Sequence, residues 1–270
     1  MWATAVRVAR VRALETEREN ALFRDPLAQA FATAGGLLPS SPPPGDDAAR
    51  RRRLGASFSI VIRTKFLDDL LQQASASGVR QVVLLGAGMD SRAFRMDWPE
   101  GTRLFEVDTA APLDFKASVL RRERAVARCE RITVAVDLRE DWPAALAAAG
   151  HDPAVPTVWI AEGLLIYLPE DEVELLLARI GAQSAAGSRM GLTLGPRGVI
   201  ERFGVDAVPG SAASMWVSET PDDPVGWLAG HGWEARSRTL RECGAAYGRP
   251  VSTPPQREEQ PGGLISAVRW

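Results

Sequence analysis

Histidine, cysteine and tyrosine are nearly missing from this chain, with two of each in 270 residues. The cysteines, Cys129 and Cys243, stand in neither a metal-ligand nor a redox spacing. They offer no disulfide framework and fit a reducing compartment. No metal site is expected. A charge excess is lacking too: 32 basic residues face 34 acidic ones, a formal net charge of −2. The electrostatic footprint of a nucleic-acid binder is therefore absent. The one basic cluster, Arg50 to Arg53, follows a proline-rich loop and reads as a solvated helix start. No apolar run approaches the ~18 residues that suggest a membrane span. The first 19 residues are broken by Arg7, Arg10, Arg12, Glu15, Glu17, Arg18 and Glu19, unlike a secretory signal. A cytoplasmic protein with no membrane partner is expected.

What is present is an ordinary globular composition, 46% hydrophobic and 24% charged, long enough for one large domain with an appended part. Its most informative stretch is Val82-Val83-Leu84-Leu85-Gly86-Ala87-Gly88-Met89-Asp90-Ser91-Arg92. A buried strand runs into Gly-x-Gly and then a helix. Glycine permits the tight turn, leaves bare backbone for a ligand, and the helix start offers unpaired N–H groups.

Residues 3–34 read as helical, with Asp25-Pro26 as a helix start. Residues 38–47 read as a surface loop, and 57–74 as a helix with Ile62, Phe66 and Leu70 on one side. From residue 81 the pattern alternates. Strands are expected at Gln81–Leu85, Arg103–Val107, Ile132–Val136, Thr157–Ala161 and Arg189–Leu194, with late strands at Trp233–Leu240 and Leu264–Arg269. The clearest helix is 170–182: Pro169, then Glu170, Asp171 and Glu172, open it, and Val173, Leu176, Leu177 and Ile180 form its packing face. The expectation is an α/β, doubly wound, mostly parallel Rossmann-like sheet of seven strands. It would carry an N-terminal helical region over 1–78, a core over 79–270, and a lid near 195–225.

Ligands of doubly wound sheets bind beyond the carboxyl ends of the strands. There the first strand gives Gly86 and Gly88, the second Asp108, the third Asp137 and Leu138, and the fourth Glu162. Each of these acids has a structural alternative as a cap or loop residue; three on one edge beside a glycine turn suggest a site. Asp108 lies 22 residues beyond Gly86, close to the ~20 at which an acid takes ribose hydroxyls. Asp137 with the Leu138 backbone suits an adenine edge, and Glu162 suits an ammonium group. Ser91 stands where a dinucleotide fingerprint wants its third glycine. The pattern points to S-adenosyl-L-methionine. A nicotinamide oxidoreductase and a non-catalytic protein that binds the same cofactor are the alternatives.

The segment 10–34, Ile62-Arg63-Thr64 with Phe66-Leu67-Asp68-Asp69, the LLGAGMDSR, LFEVD and VDLRE motifs, and Trp159 to Leu168 together resemble the leucine carboxyl methyltransferase family. The segments MWVSETPDDPVGWLAGHGW and Tyr247-Gly248-Arg249-Pro250 resemble its bacterial polyketide O-methyltransferases of the tetracenomycin type. The resemblance implies that Arg63 holds the cofactor carboxylate and Gly86 belongs to the glycine-turn contact. It gives Asp108 the ribose, Asp137 and Leu138 the adenine, and Glu162 the methionine end, with Tyr167 near the substrate. The chain is shorter than the family pattern between Gly35 and Arg50 and across 195–215.

A carboxyl acceptor, with a reference pKa of ~4, is already ionised at neutral pH, whereas a phenol near ~10 needs a base. His151 and His231 both precede strands and so fall at the amino edge, opposite the cofactor. That favours a carboxyl oxygen of a small natural product such as a polyketide, with a phenolic oxygen next. Among the tryptophans, Trp98, Trp142, Trp159 and Trp233 read as core. Met215 and Trp216, in the lid, are the candidates for the substrate wall. Oligomeric state is not readable.

Overall fold

The computed structural model describes residues 2–37, 47–195, 213–250 and 263–270. Helix α1 (Trp2–Thr16) is followed by α2 (Ala28–Ala34) and the long α3 (Asp47–Ala76). The core then runs β1 (Gln81–Leu85), α4 (Arg92–Arg95), β2 (Arg103–Asp108), α5 (Ala110–Arg122), β3 (Glu130–Ala135), α6 (Trp142–Ala148) and β4 (Thr157–Ala161). A one-turn 3₁₀ helix (Leu165–Tyr167) leads to α7 (Glu170–Ala182) and β5 (Arg189–Thr193). A second short 3₁₀ turn (Ala213–Met215), α8 (Pro224–Gly230), β6 (Trp233–Arg238), α9 (Leu240–Ala246) and β7 (Leu264–Arg269) complete the described chain.

The seven strands lie in the order β3-β2-β1-β4-β5-β7-β6. The five strands β1–β5 are mutually parallel, while β7 runs antiparallel to both β5 and β6. The doubly wound, mostly parallel expectation holds. The alternation of side chains along a strand sorts the core into two layers. Val83, Leu85, Phe105, Val107, Trp159 and Ala161 point to one face, under α6, α7 and α8. Val82, Leu84, Leu104, Val158 and Ile160 point to the other, under α3 and α4. Both faces of β1 and β4 are covered, so each strand is buried along its whole length. A continuous apolar run is what that position demands.

The helix expected across 3–34 divides. Residues 17–27 are non-helical, and Asp25 does more than open α2: its carboxylate accepts from the Leu27 N–H and pairs with Arg12 at 2.8 Å, buried. Helix α3 starts ten residues earlier than the 57–74 expectation, so Arg50 to Arg53 fall on its first turns; their side chains lie outside the described residues. Trp142, Trp159 and Trp233 are fully buried as expected, whereas Trp98 is half-buried and donates to the Arg92 carbonyl. Residues 196–212, most of the expected lid, lie outside the described residues.

Candidate cofactor-binding site

The parallel register of β1 to β4 carries Gly86, Asp108, Asp137 and Glu162 to one edge of the sheet. Strand β1 ends in a turn whose glycines take left-handed conformations, Gly86 at φ 65° and Gly88 at φ 42°. That is the conformational reason for glycine here. The expectation of open backbone is corrected. A Cβ on Gly86 would sit 3.0 Å from Leu164, and one on Gly88 3.0 Å from Ala5 of α1. The donors of the turn are also largely spent. The N–H groups of Gly86 and Ala87 go to the Val107 carbonyl, and those of Asp90 and Arg92 to Ala87 and Asp90. The Gly88 N–H goes to Asp108 Oδ2 at 2.8 Å. The turn is therefore braced by the protein itself, because buried N–H groups must find partners.

Asp108 closes β2 and ties three elements together. Its second oxygen accepts from the Thr109 N–H at 2.7 Å. Burial pushes its carboxyl above the usual range, against the pull of these backbone donors. Oδ1 also accepts from Thr109 Oγ1 at 3.4 Å, which leaves Oδ2 the further lone-pair site for a hydroxyl. Asp137 sits beyond β3 in a more open position. Arg139 grips it through Nε at 2.9 Å and Nη2 at 2.6 Å, and its own N–H adds a third bond. These hydrogen bonds hold the Asp137 carboxyl below its ordinary value. Leu138 packs its side chain on the core beneath.

Glu162 follows β4 directly and meets two arginines. Its Oε1 accepts from Arg63 Nε at 3.0 Å, and its Oε2 from Arg92 Nη2 at 2.9 Å. Burial opposes its charge, but Arg92 and Arg63 outweigh burial and hold its carboxyl below the usual range. Arg63 comes from the middle of α3, 99 residues away in sequence. It can lie this close because Gly163, at φ 61°, has no side chain: a Cβ there would stand 3.1 Å from the guanidinium. The Gly163 N–H is fixed by Thr193 Oγ1 at 2.6 Å.

Sequence reasoning missed the ion-pair network behind this pair. Arg92 also binds Asp68 and Asp90, Arg95 binds Asp68, and Arg12 reaches the Met89 carbonyl as well as Asp25. Asp90 is driven down to about 2: burial works against its charge, and Arg92, Lys116 and Arg12 overcome it. The available signal was the pair of segments LDD and MDSR, charged residues set inside apolar runs. One layer deeper, fully buried Glu106 meets Lys116 at 2.8 Å and Arg131 at 2.6 Å.

Tyr167 lies in the 3₁₀ turn just past Glu162. The Val217 N–H bonds to the Ile166 carbonyl at 2.9 Å, and Ser218 Oγ to the Leu165 carbonyl at 2.8 Å. These bonds seat the segment carrying Met215 and Trp216, both half-buried, beside the Tyr167 turn. His151 lies in the loop before β4, its Nε2 3.1 Å from Thr157 Oγ1 at the start of that strand. His231 precedes β6 and meets Glu174 at 2.9 Å. Both histidines occupy the amino edge, as expected.

The doubly wound sheet with its antiparallel β7 is the Rossmann-like fold of methyltransferases. A crystal structure of a DUF574 family protein from Streptomyces avermitilis has a TM-score of 0.59 at 13% identity, covering 97% of each chain. A Thermobifida fusca structure, described as a candidate methyltransferase, gives 0.53 at 16% identity over 97% of this chain and 93% of that one. The leucine carboxyl methyltransferase profile matches residues 5–181, and the chain belongs to that family. A Streptomyces avermitilis relative is 91% identical over 270 residues, spanning all of this chain and 95% of the relative. One from Streptomyces coelicolor is 83% identical over the same spans, and one from Rhodococcus jostii 42% identical over 94% of this chain and 89% of its own. All three are named as candidate S-adenosyl-L-methionine-dependent methyltransferases.

Proposed function

We propose that this chain is an S-adenosyl-L-methionine-dependent O-methyltransferase acting on a carboxyl oxygen of a small natural product such as a polyketide. The observation that carries the reading is the Arg63–Glu162 pair at the carboxyl edge, 3.0 Å apart and beside the braced glycine turn. An arginine fork and a carboxylate side by side match the two opposite charges of an amino-acid end. Asp108, held by Gly88 and Thr109, presents acceptor capacity for a ribose diol. Asp137 and the Leu138 backbone stand where an adenine edge would lie, once Asp137 shares its oxygens with Arg139.

When bound, the cofactor supplies a sulfonium methyl that passes to the acceptor oxygen as the carbon–sulfur bond breaks and its electrons return to sulfur. The protein's share is alignment and exclusion of water. Tyr167 would orient the acceptor oxygen by its hydroxyl, and Met215 with Trp216 would wall the acceptor's ring system. A carboxylate acceptor is the better match because it needs no base at neutral pH. The chain's two histidines are both at the far edge of the sheet. The family, together with the tetracenomycin-type segments, supports this acceptor class.

Calorimetric titration with S-adenosyl-L-methionine and S-adenosyl-L-homocysteine tests the cofactor assignment. Incubation with aromatic polyketide acids and phenols, read by mass spectrometry, tests the acceptor. A methyl ester formed on the acid is the expected product. Methyl ether formation alone would reject the carboxyl preference, and binding without turnover on either class would favour the non-catalytic alternative.

A further inference from the structure

Arg92 is given no contact with cofactor or acceptor in the proposed reaction, yet its side chain is only 2% exposed and fully engaged. Its three nitrogens serve three carboxylates on three elements. Nε meets Asp68 of α3 at 2.7 Å, Nη1 meets Asp90 of the glycine turn, and Nη2 meets Glu162 beyond β4 at 2.9 Å. Asp68 is anchored in turn by Arg95, at 2.7 and 2.8 Å. Arg63, the other partner of Glu162, is far less confined, with a side chain 19% exposed.

The two oxygens of Glu162 thus have unequal partners. Oε2 is held from inside by a guanidinium that has nowhere to move. Oε1 is held from outside by the more exposed Arg63 and takes a longer bond, 3.4 Å, from the buried Thr64 hydroxyl. Three cations (Arg63, Arg92, Arg95) balance three anions (Asp68, Asp90, Glu162), so a zwitterion entering between Arg63 and Glu162 leaves the local charge at zero. A buried ion pair is tolerated only when each charge stays compensated.

We propose that Arg92 is a positioning residue that builds the subsite for the amino-acid end of the cofactor. It holds Glu162 by one oxygen and the glycine turn by Asp90. Arg63 can then release the other Glu162 oxygen to the incoming ammonium and take the carboxylate itself. This assignment rests on the cofactor reading above and adds to it a selectivity: Arg92 governs the amino-acid end and not the nucleoside.

The test is Arg92→Lys, which keeps the charge but cannot serve three carboxylates in the plane of a guanidinium. Two probes are titrated by calorimetry: S-adenosyl-L-homocysteine, and 5′-methylthioadenosine, which lacks the amino-acid end. Affinity for the first should fall by roughly ten- to a hundredfold, the scale of lost charge-assisted hydrogen bonds. Affinity for the second should stay at the wild-type value. Equal losses for both probes, or no loss for the first, would overturn the assignment. Should the lysine variant fail to fold, Asp68→Asn loosens Arg92 from the α3 side while leaving Glu162 intact. The same difference between probes is expected at smaller amplitude, and the same two outcomes overturn it. Wild-type protein that binds neither probe would instead remove the cofactor reading and this assignment with it.

Discussion

Replacing His151 by glutamine should flatten the acid side of the stability profile without touching the chemistry. The imidazole lies between Phe105 and Trp159, with ring centroids at 5.9 and 5.3 Å, and is 4% exposed. Its Nε2 has Thr157, while its Nδ1 is buried without a hydrogen-bond partner. Burial pushes its pKa from 6.5 down to about 4. The unfolded chain therefore binds more protons than the folded one between those values, and stability rises with pH across that window. The contribution is fully present above the unfolded value and is lost as pH falls towards the folded one. Linkage over this shift gives ~2.5 kcal/mol between pH 7.5 and 4.5, or about 5–10 °C in Tm for a chain of this size. Urea unfolding of wild type and His151→Gln at a series of pH values reads the difference directly. The variant should lose less stability than wild type by that amount, with methyl transfer retained, since His151 faces the amino edge. Parallel profiles would refute the burial argument. Lost turnover with cofactor affinity intact would refute the placement of the acceptor.

Asp108→Ala removes the acceptor of two backbone donors and of the proposed ribose contacts. It should weaken S-adenosyl-L-homocysteine binding by about 1–3 kcal/mol by calorimetry, and unchanged affinity would reject the ribose role. Gly163→Ala forces a side chain into a left-handed conformation and against the Arg63 guanidinium. A loss of roughly 1–2 kcal/mol is expected in chemical denaturation, together with weaker binding of the same ligand. If the ligand binds as before, the Arg63 geometry does not define the site.

Much of the architecture was legible because its causes are local. Continuous apolar runs at 81–85 and 157–161 mark strands covered on both faces, and their bounds agree with the structure. Pro169 with three acids after it marks the start of α7, where it was expected. Boundaries slipped where a side chain's partner is remote. The helix expected over 3–34 breaks at 17–27, where Asp25 opens α2 and also bonds Arg12 of α1, and α3 begins ten residues ahead of its expected start. The glycine turn was legible as a turn but not as a filled one. What occupies the space beside Gly86 and Gly88 is Leu164 and Ala5, distant in sequence.

By itself the sequence determined the order of strands and helices, the edge at which the acids collect, and the family, because periodicity, turn chemistry and motif spacing are written in neighbouring residues. Only the tertiary structure decided which charge faces which. The pairing of Arg63 with Glu162, the three carboxylates on Arg92 and the burial of His151 join residues from separate elements. Such contacts depend on where the folded chain excludes water: a guanidinium among carboxylates is neutral surface when exposed and a fixed, directional device when buried.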